Sequence, residues 1–232
     1  MLKFQKDKLR LGYAPTRRDM FRDPLYRENR KAIDEAVIKL AGELDVELVT
    51  IDDLPFESKS YGFGKRLVNA PADNIMTDYA DALMIAEHFK AHKVDALFVP
   101  FCNFGQEEAL AKLAKELEVP TLVWGPRDPA PNGTGPRPTD SQCGIFAATK
   151  VLQRYGVTFT YIENCHVNAP AFADGFRRFV STAQIVKAFR HARIAQISVR
   201  PQQFLSVMVN EAELLEKFGI EIVPISGAQV VN

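Results

Sequence analysis

Four short stretches of this chain gather the residue types that grip a polyhydroxylated molecule. Pro15-Thr16-Arg17-Arg18-Asp19 brings two guanidinium groups and a carboxylate. Val99-Pro100-Phe101-Cys102-Asn103-Phe104-Gly105-Gln106-Glu107-Glu108 brings two aromatic rings and an amide. Trp124-Gly125-Pro126-Arg127-Asp128 holds the single tryptophan, and Glu163-Asn164-Cys165-His166 adds a carboxylate, an amide and an imidazole. Hydroxyl pairs take bidentate hydrogen bonds from such groups, and the C–H faces of a sugar stack on flat rings. The candidate substrate-binding residues are Arg17, Arg18, Phe101, Asn103, Phe104, Trp124 and Arg127. Each has a plainer reading. Phe101, Phe104 and Trp124 are equally at home packed under a loop. Asn103 suits a left-handed turn before Gly105, and the arginines suit a solvated surface.

Other chemistries find less support. The segment around Asn103 has neither the G-x-G-x-x-G nor the G-x-x-x-x-G-K-[ST] spacing. The helix after it opens on Glu107 and Glu108, which already complement the positive end of its dipole and would repel a phosphate. No G-x-S-x-G elbow is present. His88 and His92 stand four apart on a helix but lack a third metal ligand, and Cys143 has no base beside it. No catalytic or metal-ligating residue is therefore assigned. The chain reads as a ligand-shaping domain rather than a whole enzyme.

The elements that must position these stretches alternate. Strands are expected over 9–14, 46–51, 95–99, 120–124, 159–163, 193–198 and 220–225. Helices are expected from Asp23-Pro24, with Asp23 as cap; from Asp73 or Asn74 to about His92; over 106–117, 141–155 and 171–191; and over 203–218. Ile33, Ala36, Val37, Leu40 and Leu44 give the first helix an apolar stripe. Continuous apolar strands alternating with helices predict an α/β fold. It is a doubly wound parallel sheet of about five strands, with helices on both faces. The four candidate stretches then fall at the carboxyl ends of strands, where such sheets bind ligands. Residues 55–71, with Gly62 and Gly64, and the Pro- and Gly-rich 125–140 read as irregular loops. A first domain is expected over 1–191, and 192–232 reads as the incomplete start of a second.

Composition narrows the partners. The 232 residues are 47% hydrophobic, enough for a full core. A formal net charge of +0, from 29 basic and 29 acidic side chains, offers no field to recruit nucleic acid or anionic lipid. No apolar run approaches the roughly 20 residues of a membrane span. Cys102, Cys143 and Cys165 show no disulfide or zinc spacing, and the N-terminus lacks a signal-peptide pattern. A cytoplasmic protein with no nucleic-acid or membrane partner is expected.

The segments 99–108, 122–128 and 140–144, with Phe159–Asn164 and Ser206–Glu211, together resemble the N-terminal part of an L-fucose isomerase-like protein. That family lies in the L-fucose/L-arabinose isomerase group, and the resemblance runs over essentially the whole chain. It implies Rossmann-like domains in a cytoplasmic, homo-oligomeric aldose–ketose isomerase that uses a divalent metal, commonly Mn²⁺. It also implies that the metal ligands and catalytic base fall after residue 232. The N-terminal domain would help close a neighbouring subunit's monosaccharide site, with Arg17 or Arg18 and with Phe101, Asn103 and Phe104. Two alternatives remain open at this point: a stand-alone sugar-binding or sensor module, and a flavodoxin-like nucleotide or flavin binder.

Overall fold

A computed structural model describes residues 8–21, 24–63, 66–130 and 137–231. The chain divides into two compact units, Met1–Ala183 and Gln184–Asn232. The elements of the first unit are β1 (Arg10–Tyr13), α1 (Leu25–Glu43), β2 (Glu47–Val49), β3 (Lys59–Phe63), β4 (Arg66–Ala70), α2 (Tyr79–Ala91), β5 (Ala96–Pro100), α3 (Glu107–Leu117), β6 (Thr121–Trp124), α4 (Ser141–Arg154), β7 (Phe159–Tyr161) and most of α5 (Pro170–Phe189). Five strands make one sheet in the order β2-β1-β5-β6-β7, and every pairing is parallel. This is the expected doubly wound α/β architecture.

Side-chain alternation explains both covered faces. Leu97 and Val99 of β5 pack with α2, α3 and α4 through Ile85, Phe89, Leu110 and Ala148. Ala96 and Phe98, one residue out of phase, pack with α1 and α5 through Ile33, Val37, Phe172 and Phe176. Each Phe or Leu so buried stabilises the fold by about 1.5–3 kcal/mol of transfer free energy. The chain runs from β1 to β2 on one side and then crosses to β5 on the other side of β1. That reversal opens a crevice outside the carboxyl ends of β1 and β5, the position where sheets of this order bind ligands.

Three local expectations are corrected. Residues 59–70 form a hairpin, β3 pairing antiparallel with β4 from Lys59↔Ala70 to Phe63↔Arg66. Runs as short as these carry too little alternation to read as strands. Next, α2 starts at Tyr79 with Asp78 as cap, its carboxylate accepting from the Asp81 N–H at 3.0 Å. Asp73 is engaged by Arg17 and Tyr26 instead, and Asn74 has a left-handed φ of 53°. In α1, Pro24 is the cap residue and makes no side-chain cap bond; the expected cap Asp23 lies outside the described residues.

The second unit is a β-α-β motif. Strand β8 (Arg193–Ile197) pairs parallel with β9 (Glu221–Ile225), with α6 (Glu211–Phe218) as the crossover and α7 (Gly227–Val231) at the end. The helix expected over 203–218 is confined to its second half. Asn210 caps α6 by accepting from the Glu213 N–H at 3.1 Å, and the segment before it holds only a 3₁₀ turn at Leu205–Val207.

Candidate functional site

Thr16 sets the floor of the β1/β5 crevice. It bridges to both Met76 and Phe101, and its hydroxyl donates to the Met76 carbonyl at 3.0 Å while accepting from the Gln106 N–H at 3.1 Å. One side chain thus ties three loops and holds an orphan donor at the start of α3. Asn103 is the second tie. Its Oδ1 accepts from the Arg18 N–H at 2.8 Å and the Gly105 N–H at 3.2 Å. Its Nδ2 donates to the carbonyls of Arg18 and Phe21 at 3.1 and 3.4 Å. Asn103 is wholly buried and bound to backbone on every side, so it shapes the loops and presents nothing to a ligand.

The neighbouring arginines have different fates. Arg17 is 3% exposed. Its Nη1 donates to Asp19, its Nε donates to Asp73 at 3.1 Å, and its guanidinium lies 5.0 Å from the Tyr26 ring centre. The Tyr26 hydroxyl donates to Asp73 at 2.9 Å and accepts from Arg27 Nε at 2.9 Å. Two carboxylates share the Arg17 cation. Burial nevertheless pushes the Asp19 carboxyl above the ordinary aspartate range, against the pull of Arg17. Arg18 has a freer valence. Its guanidinium stacks 4.3 Å from the Phe104 ring centre, donates Nη2–H to Gln106 at 3.2 Å and stands 3.9 Å from Glu107. Its buried Nε has no hydrogen-bond partner among the described residues. Burial lowers its pKa below the usual arginine value, which marks a cation with part of its water removed.

The Arg17 network borders a cavity of about 280 Å³ lined by Arg17, Asp19, Phe21, Tyr26, Arg27, Asn69 and Pro71; Arg18, Asn103 and Phe104 do not line it. Phe21 stacks on Phe104 with ring centres 5.3 Å apart, so it joins the cavity to the Arg18 pair. Asp19, Phe21, Tyr26, Arg27 and Asn69 were not among the candidates. Asp19 stood beside them in sequence. Asn69 reaches the crevice through the hairpin, which carried no clear signal.

The remaining candidates divide. Phe101 and Trp124 are 0% exposed. The Phe101 ring fills the space where a side chain at Gly105 would go, and Gly105 has a left-handed φ of 72°. Trp124 packs on Phe172 with ring centres 4.4 Å apart. Both belong to the core. Arg127 is exposed on the loop after β6, its N–H donating to the Cys165 carbonyl at 3.0 Å, and it does not line the cavity. Below it, Asp128 accepts from the N–H groups of Ser141 and Gln142 at 2.9 and 3.2 Å and from the Thr139 hydroxyl at 2.7 Å. It caps α4 from outside the helix. Asn164 donates to the carbonyls of Gly125 and Pro126 at 2.9 and 3.0 Å. Among the described residues no group of three His, Cys, Asp or Glu side chains is placed to hold a metal ion.

The profile of the family described as fucose/sulfoquinovose isomerase, N-terminal domain, matches residues 12–190. The chain belongs to that family. The fucose/sulfoquinovose isomerase match runs from the end of β1 through α5, and so covers the crevice, its cavity and the Arg127 loop. Among curated relatives, the chain is 21% identical over 150 residues to the sulfoquinovose isomerases of Priestia aryabhattai and Priestia megaterium. The alignment covers 65% of this chain and 33% of each relative. The chain thus spans about a third of the length of the curated relatives it matches.

Proposed function

We propose that this chain is the substrate-recognition and oligomerisation region of a metal-dependent aldose–ketose isomerase. The reaction moves a proton or hydride between C1 and C2 of an open-chain sugar. A divalent metal such as Mn²⁺ would polarise the carbonyl oxygen when bound; its ligands and the base are assigned to other parts of the complete enzyme. The first unit contributes binding and water exclusion. Arg18, backed by Phe104 and oriented by Gln106, donates to sugar hydroxyls, and the rings of Phe21 and Phe104 offer faces for C–H stacking. The Asn103 clamp holds both loops in place, so the donors need no rearrangement on binding. Arg127 is proposed as a peripheral contact. A neighbouring subunit in a homo-oligomer would complete the site, in the cytoplasm. No described helix is long and apolar enough to cross a membrane.

The observation that carries this reading is the cavity at the β1/β5 switch point, lined by Arg17, Asp19, Arg27 and Asn69 and by the rings of Phe21 and Tyr26, with Phe21 stacked on Phe104 beside it. A neutral deoxy- or pentose sugar such as L-fucose or L-arabinose suits the acidic start of α3. A second reading is a sulfonated hexose such as sulfoquinovose, named for the relatives, whose anion would meet the partly exposed guanidinium of Arg18. Kinetics of the complete enzyme on L-fucose, L-arabinose and sulfoquinovose, with and without Arg18→Ala, tests both. The expected result is a KM raised roughly tenfold or more, the worth of one charge-assisted hydrogen bond, with metal content unchanged. A rise confined to sulfoquinovose selects the sulfonated substrate. Unchanged kinetics on all three sugars would remove Arg18 from the site.

A further inference from the structure

Among the described residues no third metal ligand stands beside His88 and His92, yet the fold prepares both rings to hold an ion together. We propose that they form a two-histidine site for a divalent transition-metal cation of the Cu²⁺ and Ni²⁺ class. The two stand four apart at the end of α2, where His92 is the C-cap residue, so their side chains share one face of the last turn. His88 Nε2 lies 3.0 Å from the Thr50 carbonyl, just past β2, and His92 Nδ1 lies 2.9 Å from the His88 carbonyl. A carbonyl oxygen only accepts, so those two nitrogens carry the protons. In each neutral ring the other nitrogen, Nδ1 of His88 and Nε2 of His92, keeps its lone pair for a metal. A backbone carbonyl on the far N–H is what a metal-binding histidine uses: it fixes the tautomer and the ring orientation, and it makes the ligating nitrogen more basic. Both rings have that partner before any ion arrives.

The spacing of the rings selects the ion. Their centres are 4.3 Å apart and their planes are inclined at 49°. With metal–nitrogen bonds of about 2.0–2.1 Å, each ring centre sits roughly 3.2 Å from the ion, so two rings at a right angle have centres about 4.5 Å apart and two at a tetrahedral angle about 5.2 Å. The observed spacing matches the right angle, the arrangement of square-planar and octahedral ions. Imidazole suits copper and nickel, and the general order of divalent affinities places both ions well above Mn²⁺. His92 is exposed and His88 half-buried, so an ion reaches the pair from solvent and water fills its remaining positions. Through His88 the ion would also pin the last turn of α2 to the chain leaving β2. The site is separate from the ion of the isomerase reaction and does not rest on that reading.

The test is a titration of the isotope-labelled 232-residue chain with NiCl₂, followed by NMR and by thermal unfolding. Paramagnetic broadening should saturate at one ion per chain and centre on the ring signals of His88 and His92. Tm should rise with NiCl₂, because the paired rings exist only in the folded helix. His88→Ala and His92→Ala should each weaken binding by roughly tenfold or more, at least what losing a ligand's hydrogen-bonded anchor costs. His92 is exposed, so His92→Ala leaves the fold intact even if loss of the His88 contact to Thr50 disturbs it. MnCl₂ should give no saturable broadening of either ring over the same concentrations. The proposal is overturned if NiCl₂ leaves both rings unaffected, or if its saturable effect centres on His166, His191 or Cys143 instead. It is equally overturned if His92→Ala binds as the parent chain does, or if MnCl₂ saturates the pair as tightly as NiCl₂.

Discussion

Two pairs of strand ends in the first unit start from similar residues and reach opposite outcomes. At β6/β7, Trp124 is sealed against Phe172 with its buried indole N–H unpartnered, and among the described residues no ligand-sized space opens beside the polar groups of the loops. Asp128 caps α4, and Asn164 holds the carbonyls of Gly125 and Pro126. At β1/β5 the same residue types surround a cavity. Lying at a strand end is therefore not what makes a site. Each end keeps one buried nitrogen without a partner among the described residues, so the distinguishing property is the cavity itself, lined at β1/β5 by charged and amide side chains.

The sharpest way to break this comparison is Trp124→Ala. With the indole wholly buried, its removal should cost about 3–5 kcal/mol, read as a lower denaturant midpoint with an unchanged slope. A ligand-stacking tryptophan would give the reverse: intact stability and weakened sugar binding. Next in size is Asp128→Ala, which removes the acceptor for two N–H groups at the start of α4. The expected loss is about 1–2 kcal/mol, with hydrogen exchange rising in the first turn of that helix and KM for sugar unchanged in the complete enzyme. A KM rise as large as that of Arg18→Ala would put the β6/β7 end into the site and dissolve the contrast.

The sheet was legible in the sequence because its strands are buried on both faces, so Ala96 to Pro100 reads as an unbroken apolar run. The crevice was legible too, since a strand-helix junction rich in Arg, Asn and Phe needs no tertiary information. What stayed hidden depends on distant partners. Arg17 and Arg18 are adjacent and alike, yet Arg17 is buried because Asp73, 56 residues away, meets its Nε. The same engagement takes Asp73 out of the cap of α2. Asn69 reaches the cavity through a hairpin whose strands are too short to show a clear period. Phe101 and Trp124 are large, apolar and close to polar residues, a description that fits a core side chain and a stacking platform equally well; only packing separates them.

The smallest expected effect concerns Asp19 and tests whether the β1/β5 end is under electrostatic tension. Burial raises the Asp19 carboxyl above its ordinary value of about 3.9. The folded chain therefore binds a proton more tightly here than the unfolded chain does. For a group of that sign the stabilising contribution is present below the unfolded value and is lost as pH rises through it to the raised folded value. Asp19→Asn removes the titration while keeping an amide of the same size beside Arg17, which retains Asp73. Stability measured by denaturant unfolding from pH 3 upward should fall less steeply in the variant just above pH 3.9. Parallel curves for parent and variant would mean that Arg17 fully compensates the buried carboxylate. The β1/β5 end would then be as electrostatically settled as the cap of α4.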